Sequence, residues 1–356
     1  MRIEENKQLA PLTTLGIGGP ARWFVEAQSE SDVAEVADWQ RKHPSVPLFV
    51  LGGGSNLLVA DRGFDGLVLH IALKGIRVQE SAADSSEQGF RVYEVAAGED
   101  WDYFVQRAVD EQCAGLECLA GIPGTVGGTP VQNVGAYGQE VSAVIDQVRV
   151  FNLRELSFDT FSRNLCGFSY RRSIFNSQPR NWYIVTRVDY RLQINGAPTL
   201  KYADLQRAFP PNSNPTLKEV AETVRSIRQS KGMLLVDGDP DCRSAGSFFK
   251  NPIVTEPQAR TVSASAGQDP PQFPAGTDHP GRVKLSAAWL IEKAGFTKGF
   301  ALGRAAISSR HTLALINRGG ATSAEILALA DCIRSAVAQK FGIALEMEPV
   351  MLGFDR

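Results

Sequence analysis

No two of the five cysteines are spaced as CxxC and no histidine cluster lies beside them, so neither a disulfide framework nor a zinc site is encoded. Cys113, Cys118, Cys166, Cys242 and Cys332 read instead as reduced structural thiols. The N-terminus MRIEENKQLAPLTT has no apolar core of signal-peptide length, and no later window approaches the roughly 18 apolar residues of a membrane helix. A protein that stays in the cytoplasm, off the membrane, is the expectation. Charge of one sign is also missing: 37 basic against 39 acidic residues leave a net charge of -2, which disfavours nucleic acid as a partner. Any anionic ligand must therefore be held by local groups. There is no GxxxxGK[ST] loop, no GxGxxG opening a helix and no internal repeat, so the common phosphate fingerprints do not apply.

What is present is glycine, concentrated in two places. Residues 120–140, AGIPGTVGGTPVQNVGAYGQE, hold six glycines with no lysine or arginine and no acidic residue before Glu140. Residues 47–59, PLFVLGGGSNLLV, read as a short apolar strand that breaks into Gly52, Gly53 and Gly54, then Ser55 and Asn56. Successive residues without a β-carbon expose backbone N–H groups together, which suits a diphosphate and lets a planar ring touch the main chain. Two such stretches suggest one dinucleotide held between them. A glycine-rich connecting loop is the plain alternative for either.

These stretches, with Tyr170-Arg171-Arg172 before Ser173 and AGSFFKNP at 245–252, resemble in order and spacing the UDP-N-acetylenolpyruvoylglucosamine reductase family. Those flavoenzymes complete UDP-N-acetylmuramate synthesis for bacterial peptidoglycan. The resemblance implies an α+β chain: a two-part FAD-binding domain of the PCMH/VAO type over residues 1–200, split near 70, then a smaller α+β substrate-binding domain over 201–356. It implies non-covalent FAD, NADPH as hydride donor and UDP-N-acetylglucosamine enolpyruvate as substrate. The FAD contacts would be Gly52, Gly53, Gly54, Ser55, Asn56 and Leu57, with Gly121, Ile122, Pro123, Gly124, Gly127, Gly128, Gln132, Asn133, Gly135, Ala136 and Tyr137.

The same resemblance picks three catalytic residues. Ser247 would donate a proton in a nonpolar pocket, although local sequence by itself favours a turn serine before a buried Phe248-Phe249 pair. Arg171 would grip a carboxylate bidentately, while its neighbour Arg172 shows how little a lone arginine signals. Glu348 would bond the developing enolate if burial kept it protonated. The family's Pro-Glu-Val-basic run is here Met347, Glu348, Pro349, Val350, so Glu346 competes for that role. Tyr170, Tyr202, Lys231, Lys250, Asn251 and His311 are the candidates for the sugar nucleotide. Tyr202 matches the substrate-loop tyrosine of the family's first type; Lys231 ends an R-x-x-K run, with three additional residues before AGSFFKNP.

Three rivals are distinguishable. A flavin oxidase of the same fold superfamily often tethers its flavin through histidine, yet none of the four histidines lies in a glycine-rich stretch. A non-catalytic nucleotide-binding module would leave Arg171, Ser247 and Glu348 together unexplained. A phosphotransferase lacks the paired lysine and magnesium carboxylates.

Elsewhere, Ser29 or Ser31 should cap a helix using Val33, Val36 and Ala37, leading into the Leu48 strand as a β-α-β unit. Trp101, Phe104, Val105, Ala108 and Val109 share a helical face that Gly115 could close. Strands are expected at 144–153 and 182–192, and helices at 217–230, near 285–294 and at 323–341, the last with a Thr322/Glu325 capping box. Residues 81–89 read as a polar excursion. Residues 255–282, rich in Pro, Gly, Ser and Ala, read as a long surface loop. No apolar helix face demands a dimer, so a monomer is expected.

Overall fold

The computed structural model describes residues 1–79, 89–177, 182–276 and 279–354; the 81–89 excursion lies outside them except for Gly89. Contacts divide the chain into two compact units, one of residues 1–7, 21–53 and 65–229, the other of residues 8–20, 54–64 and 230–356. Sequence reasoning places a boundary near 200, but the helix Leu217–Ser230 buries Leu217, Val220, Ala221 and Val224 in the core of the first unit. The division therefore falls at Gln229, after that apolar stripe has been used.

The first unit has two large sheets over one continuous core and a small two-stranded sheet, Gly135–Ala136 with Gln139–Glu140. In the first sheet the strands run Glu4–Gln8, Pro20–Ala27, Phe64–Ile71, Leu48–Leu51, the last two parallel. The helix Glu30–Lys42 links Pro20–Ala27 to Leu48–Leu51, started by a Ser29/Asp32 capping box and buried through Val33, Val36 and Ala37. It makes the expected β-α-β unit, with Phe64–Ile71 lying between its two strands in the sheet.

The second sheet is antiparallel in the order Ser157–Ser162, Ile145–Asn152, Tyr183–Ile194, Phe90–Ala96, Ile76–Val78. Helix Trp101–Asp110 buries the five apolar residues its periodicity singles out. Its end differs from expectation. Glu111 caps it and Gln112 takes the left-handed turn at φ 55°, whereas Gly115 follows later, where a β-carbon would lie 2.7 Å from Val144 Cγ1.

The second unit has its own core, in which Leu15, Ile17 and Leu58 join Phe248, Phe249, Leu290, Ile291 and the apolar face of helix Ser323–Phe341. That helix carries the Thr322/Glu325 capping box and buries Ile326, Leu329, Ala330, Ile333, Val337 and Phe341. Asp61 also meets its first turn, accepting from the Ser323 N–H at 2.8 Å and the Ser323 hydroxyl at 2.8 Å, as a carboxylate at a helix N-terminus should. Val350–Leu352 pairs in parallel with Leu57–Val59. Among the described residues no helix is long and apolar enough to cross a membrane.

The expected surface loop at 255–282 is corrected by the structure. Strands Ile253–Thr255, Arg282–Leu285 and Gln272–Pro274 form an antiparallel sheet, and helix Glu256–Ala266 packs Ala259 and Val262 inward. The residues that suggested a loop are its punctuation: Pro257 in the first turn, a Thr255/Gln258 capping box, and Gly267 in the left-handed region at the C-cap. Hydrogen exchange checks this directly. Amides 260–266 should exchange at least about tenfold slower than in an unstructured chain. Thr255→Ala should speed them about fivefold, the equivalent of roughly 1 kcal/mol of lost capping; unprotected amides in the unaltered protein would contradict the helix.

Candidate active site

In the first unit the two glycine-rich stretches touch. A β-carbon on Gly53 would lie 2.6 Å from the Cα of Gly124 and 2.9 Å from its carbonyl carbon, and one on Gly52 would lie 2.9 Å from Thr125 Oγ1. Only glycine permits this approach of main chain to main chain. Gly54 belongs to the second unit, where its φ of 60° and a would-be β-carbon 1.9 Å from the Leu12 carbonyl oxygen exclude any other residue. Ser55 and Asn56 are half-buried, and the Asn56 carbonyl accepts the Val350 N–H at 3.0 Å; Leu57 is buried in the strand paired with Val350.

Within 121–137 some positions are tied into the fold by their own bonds or packing, and others are more open. Gly121 donates its N–H to Asp102 Oδ1 at 2.6 Å, and its carbonyl accepts Arg228 Nε at 3.0 Å. Gly127 packs on Ala97, where a β-carbon would fall 2.6 Å from that residue's own, so it serves close packing; Gly128 is exposed with open space around it. Ile122, Pro123, Gly124, Gln132, Gly135, Ala136 and Tyr137 are half-buried. Asn133 is buried at φ 45°, its amide donating to Glu140 Oε2 at 3.0 Å and to the Ser169 carbonyl at 3.1 Å, its oxygen accepting the Ser142 N–H. That side chain works through the fold.

The Ser169 bond ties the Arg171 segment to the glycine-rich stretch. Arg171 has φ 57°, a strained value for a residue with a β-carbon that is held by reciprocal Ser169–Arg172 backbone bonds and by Asn176, whose amide reaches the Arg171 carbonyl at 3.2 Å. Its guanidinium donates to the Gly135 carbonyl at 3.1 Å and lies near the Tyr170 ring. Arg172 is exposed and bonds Ser177, which separates the two arginines cleanly. Tyr202 is exposed and meets Tyr137 edge-on, centroids 5.3 Å apart.

In the second unit residues 246–250 run antiparallel to 346–348. The Phe248 carbonyl accepts the Glu348 N–H at 2.9 Å, the Glu346 carbonyl accepts the Lys250 N–H at 2.9 Å, and Phe249 bridges Met347. Ser247 is half-buried, one residue before the Phe248 that pairs with Glu348, and Phe248 and Phe249 are both buried. Of the competing glutamates, Glu346 is exposed and ion-paired with Lys250, whereas Glu348 is half-buried. Asn251 accepts the Ala287 N–H at 2.9 Å at the start of helix Ala287–Lys293. The His311 ring accepts the Leu313 N–H at 3.1 Å, and Lys231 is half-buried.

Two residues escape the sequence reading. Arg228 lies on the apolar face of its helix, in step with Val220 and Val224; that placement was the available signal. Burial lowers its pKa, while Tyr137 and Asp102 act against the shift. Thr125 is the second. Its Oγ1 is buried beside Gly52 with no hydrogen-bond partner among the described residues, and an orphan hydroxyl at the joint of two glycine stretches fits a bound dinucleotide.

Two family models match the chain: an FAD binding domain over residues 21–154 and the C-terminal domain of UDP-N-acetylenolpyruvoylglucosamine reductase over residues 239–352. The chain is 46% identical to the UDP-N-acetylenolpyruvoylglucosamine reductase of Streptomyces coelicolor, over 97% of this chain and 89% of that protein. With the Pseudomonas aeruginosa enzyme of the same name it shares 38%, over 98% of each chain. Among solved structures, UDP-N-acetylenolpyruvylglucosamine reductase from Thermus caldophilus is similar at a TM-score of 0.66 and 27% identity, covering 99% of both chains.

Replacing the orphan hydroxyl by a methyl should move two measurements in opposite directions. Thr125→Val is expected to leave the flavin-free protein as stable or more stable in thermal unfolding, and to weaken FAD binding about tenfold in a fluorescence titration. Unchanged FAD affinity would remove the hydroxyl from the site.

Proposed function

Since the chain belongs to the UDP-N-acetylenolpyruvoylglucosamine reductase family, we propose that it reduces UDP-N-acetylglucosamine enolpyruvate to UDP-N-acetylmuramate for peptidoglycan precursor synthesis. FAD is the cofactor and NADPH the reductant. When bound, FAD would supply the hydride-transfer chemistry between NADPH and the enol ether, held by the two glycine stretches and Thr125. The chain's own residues do the rest.

The observation that supports this reading is the backbone pairing of Phe248 with Glu348, which brings the segments carrying Ser247 and Glu348 alongside each other. Ser247 donates its hydroxyl proton to C2, from a position backed by buried aromatic rings that limit water. Arg171, in a backbone conformation set before substrate arrives, binds the substrate carboxylate and favours the charge that delocalises into it. Glu348 hydrogen-bonds the same developing enolate, and Glu346 is occupied with Lys250.

The two glycine stretches and Thr125 hold the dinucleotide. Tyr170, Tyr202, Lys231, Asn251 and His311 serve the sugar nucleotide, and Lys250 would join them on leaving Glu346. The proposed enzyme is cytoplasmic and monomeric.

Anaerobic half-reactions test the assignment. In Ser247→Ala, NADPH should bleach the flavin at the normal rate, and reoxidation by UDP-N-acetylglucosamine enolpyruvate should slow at least about a hundredfold. Normal reoxidation would end the serine's role; a wild-type protein not reoxidised by that substrate would end the functional reading.

A further inference from the structure

Glu117 is completely buried, lies outside the chemistry above, and gathers three segments of the first unit. Its Oε2 accepts the Gly115 N–H at 2.8 Å. Its Oε1 accepts Gln139 Nε2 at 2.6 Å and the Thr199 N–H at 2.8 Å. Gln139 in turn accepts the Cys118 N–H at 2.8 Å and donates to Thr199 Oγ1 at 3.2 Å, and the Cys118 thiol donates to the Thr199 carbonyl at 3.2 Å. Every polar atom of Thr199 is thus held, and all the bonds lead to the pair Glu117 and Gln139 or to Cys118.

Thr199 stands three residues before Tyr202, and Gln139 two residues after Tyr137. Lys201 packs on Gly138, where a β-carbon would come within 3.1 Å of its own, and Tyr202 rests edge-on against Tyr137. An exposed aromatic ring is therefore moored at a buried polar knot whose other end is the glycine-rich stretch. A buried carboxylate is expensive unless fully bonded, and this one accepts three donors. Glutamine has the same shape but cannot substitute, because its amide would turn an N–H toward one of those donors.

We propose that Glu117 is a positioning residue that fixes the Tyr202 loop to the cofactor segment and so sets affinity for the sugar nucleotide. This rests on the assignment of Tyr202 to the substrate. In the holoenzyme, Glu117→Gln should raise KM for UDP-N-acetylglucosamine enolpyruvate about tenfold, with kcat, flavin content and the rate of flavin reduction by NADPH changed less than about twofold. Exchange of the Thr199 amide should quicken about tenfold.

A parallel fall in flavin content, reduction rate and kcat would make Glu117 merely structural and overturn the proposal, as would an unchanged KM with faster Thr199 exchange. If Glu117→Gln does not fold, Thr199→Ala keeps the carboxylate and its three donors. It should still raise KM about threefold, and no change there overturns the role. A wild-type enzyme inert toward this substrate would overturn the functional reading and this role with it. The tether alone would then remain, which exchange reports without substrate.

Discussion

Gly53 lies against Gly124 because neither has a side chain, and most of the first unit's site follows from that one approach. It brings the end of the Leu48–Leu51 strand onto the turn that precedes Thr125, and it aligns two runs of main chain whose N–H groups would form the proposed cofactor surface. A β-carbon on Gly53 would meet the Gly124 main chain and push the runs apart by more than a side-chain rotation can absorb, and Gly124 itself has a φ of 132°. The glycines are thus a steric condition of the site, and the anion-binding chemistry is built on top of it.

Around this joint, polar side chains are used to hold backbone. Asn133 anchors the turn that carries Arg171, Asn176 secures the strained residue itself, Arg228 caps the Gly121 carbonyl, and Glu117 collects three segments at once. A φ of 57° at Arg171 costs on the order of 1–3 kcal/mol, and it persists because the neighbouring bonds leave the segment no relaxed alternative. The second unit reaches the same end with backbone pairing between 248–250 and 346–348, where Glu346 is exposed and ion-paired with Lys250 and Glu348 is half-buried.

Much of this was legible in the residues because it depends on periodicity. Helices 217–230 and 323–341 match the expected ranges since their apolar stripes and caps agree. Helix Glu256–Ala266 was illegible for the opposite reason: its buried face is only Ala259 and Val262, and proline, glycine and small residues carry as much weight in a loop. The pair Ser247 and Glu348 could be named from motif likeness, but their adjacency depends on a ladder between residues about a hundred apart, which no local pattern records. Glu117 and Arg228 were missed because a charged residue on a buried face is read by default as solvated.

The second unit takes residues 8–20 and 54–64 from early in the chain, and its strand Leu57–Val59 finds its partner only in Val350–Leu352. On a ribosome, Leu15, Ile17 and Leu58 emerge long before Phe248, Leu290 or Ile333 exist to cover them. A fragment starting at residue 230 would lack a strand and part of its own interior, so severing the chain there cannot yield an autonomous C-terminal piece. Biogenesis of this half must wait until residues 350–352 have been translated.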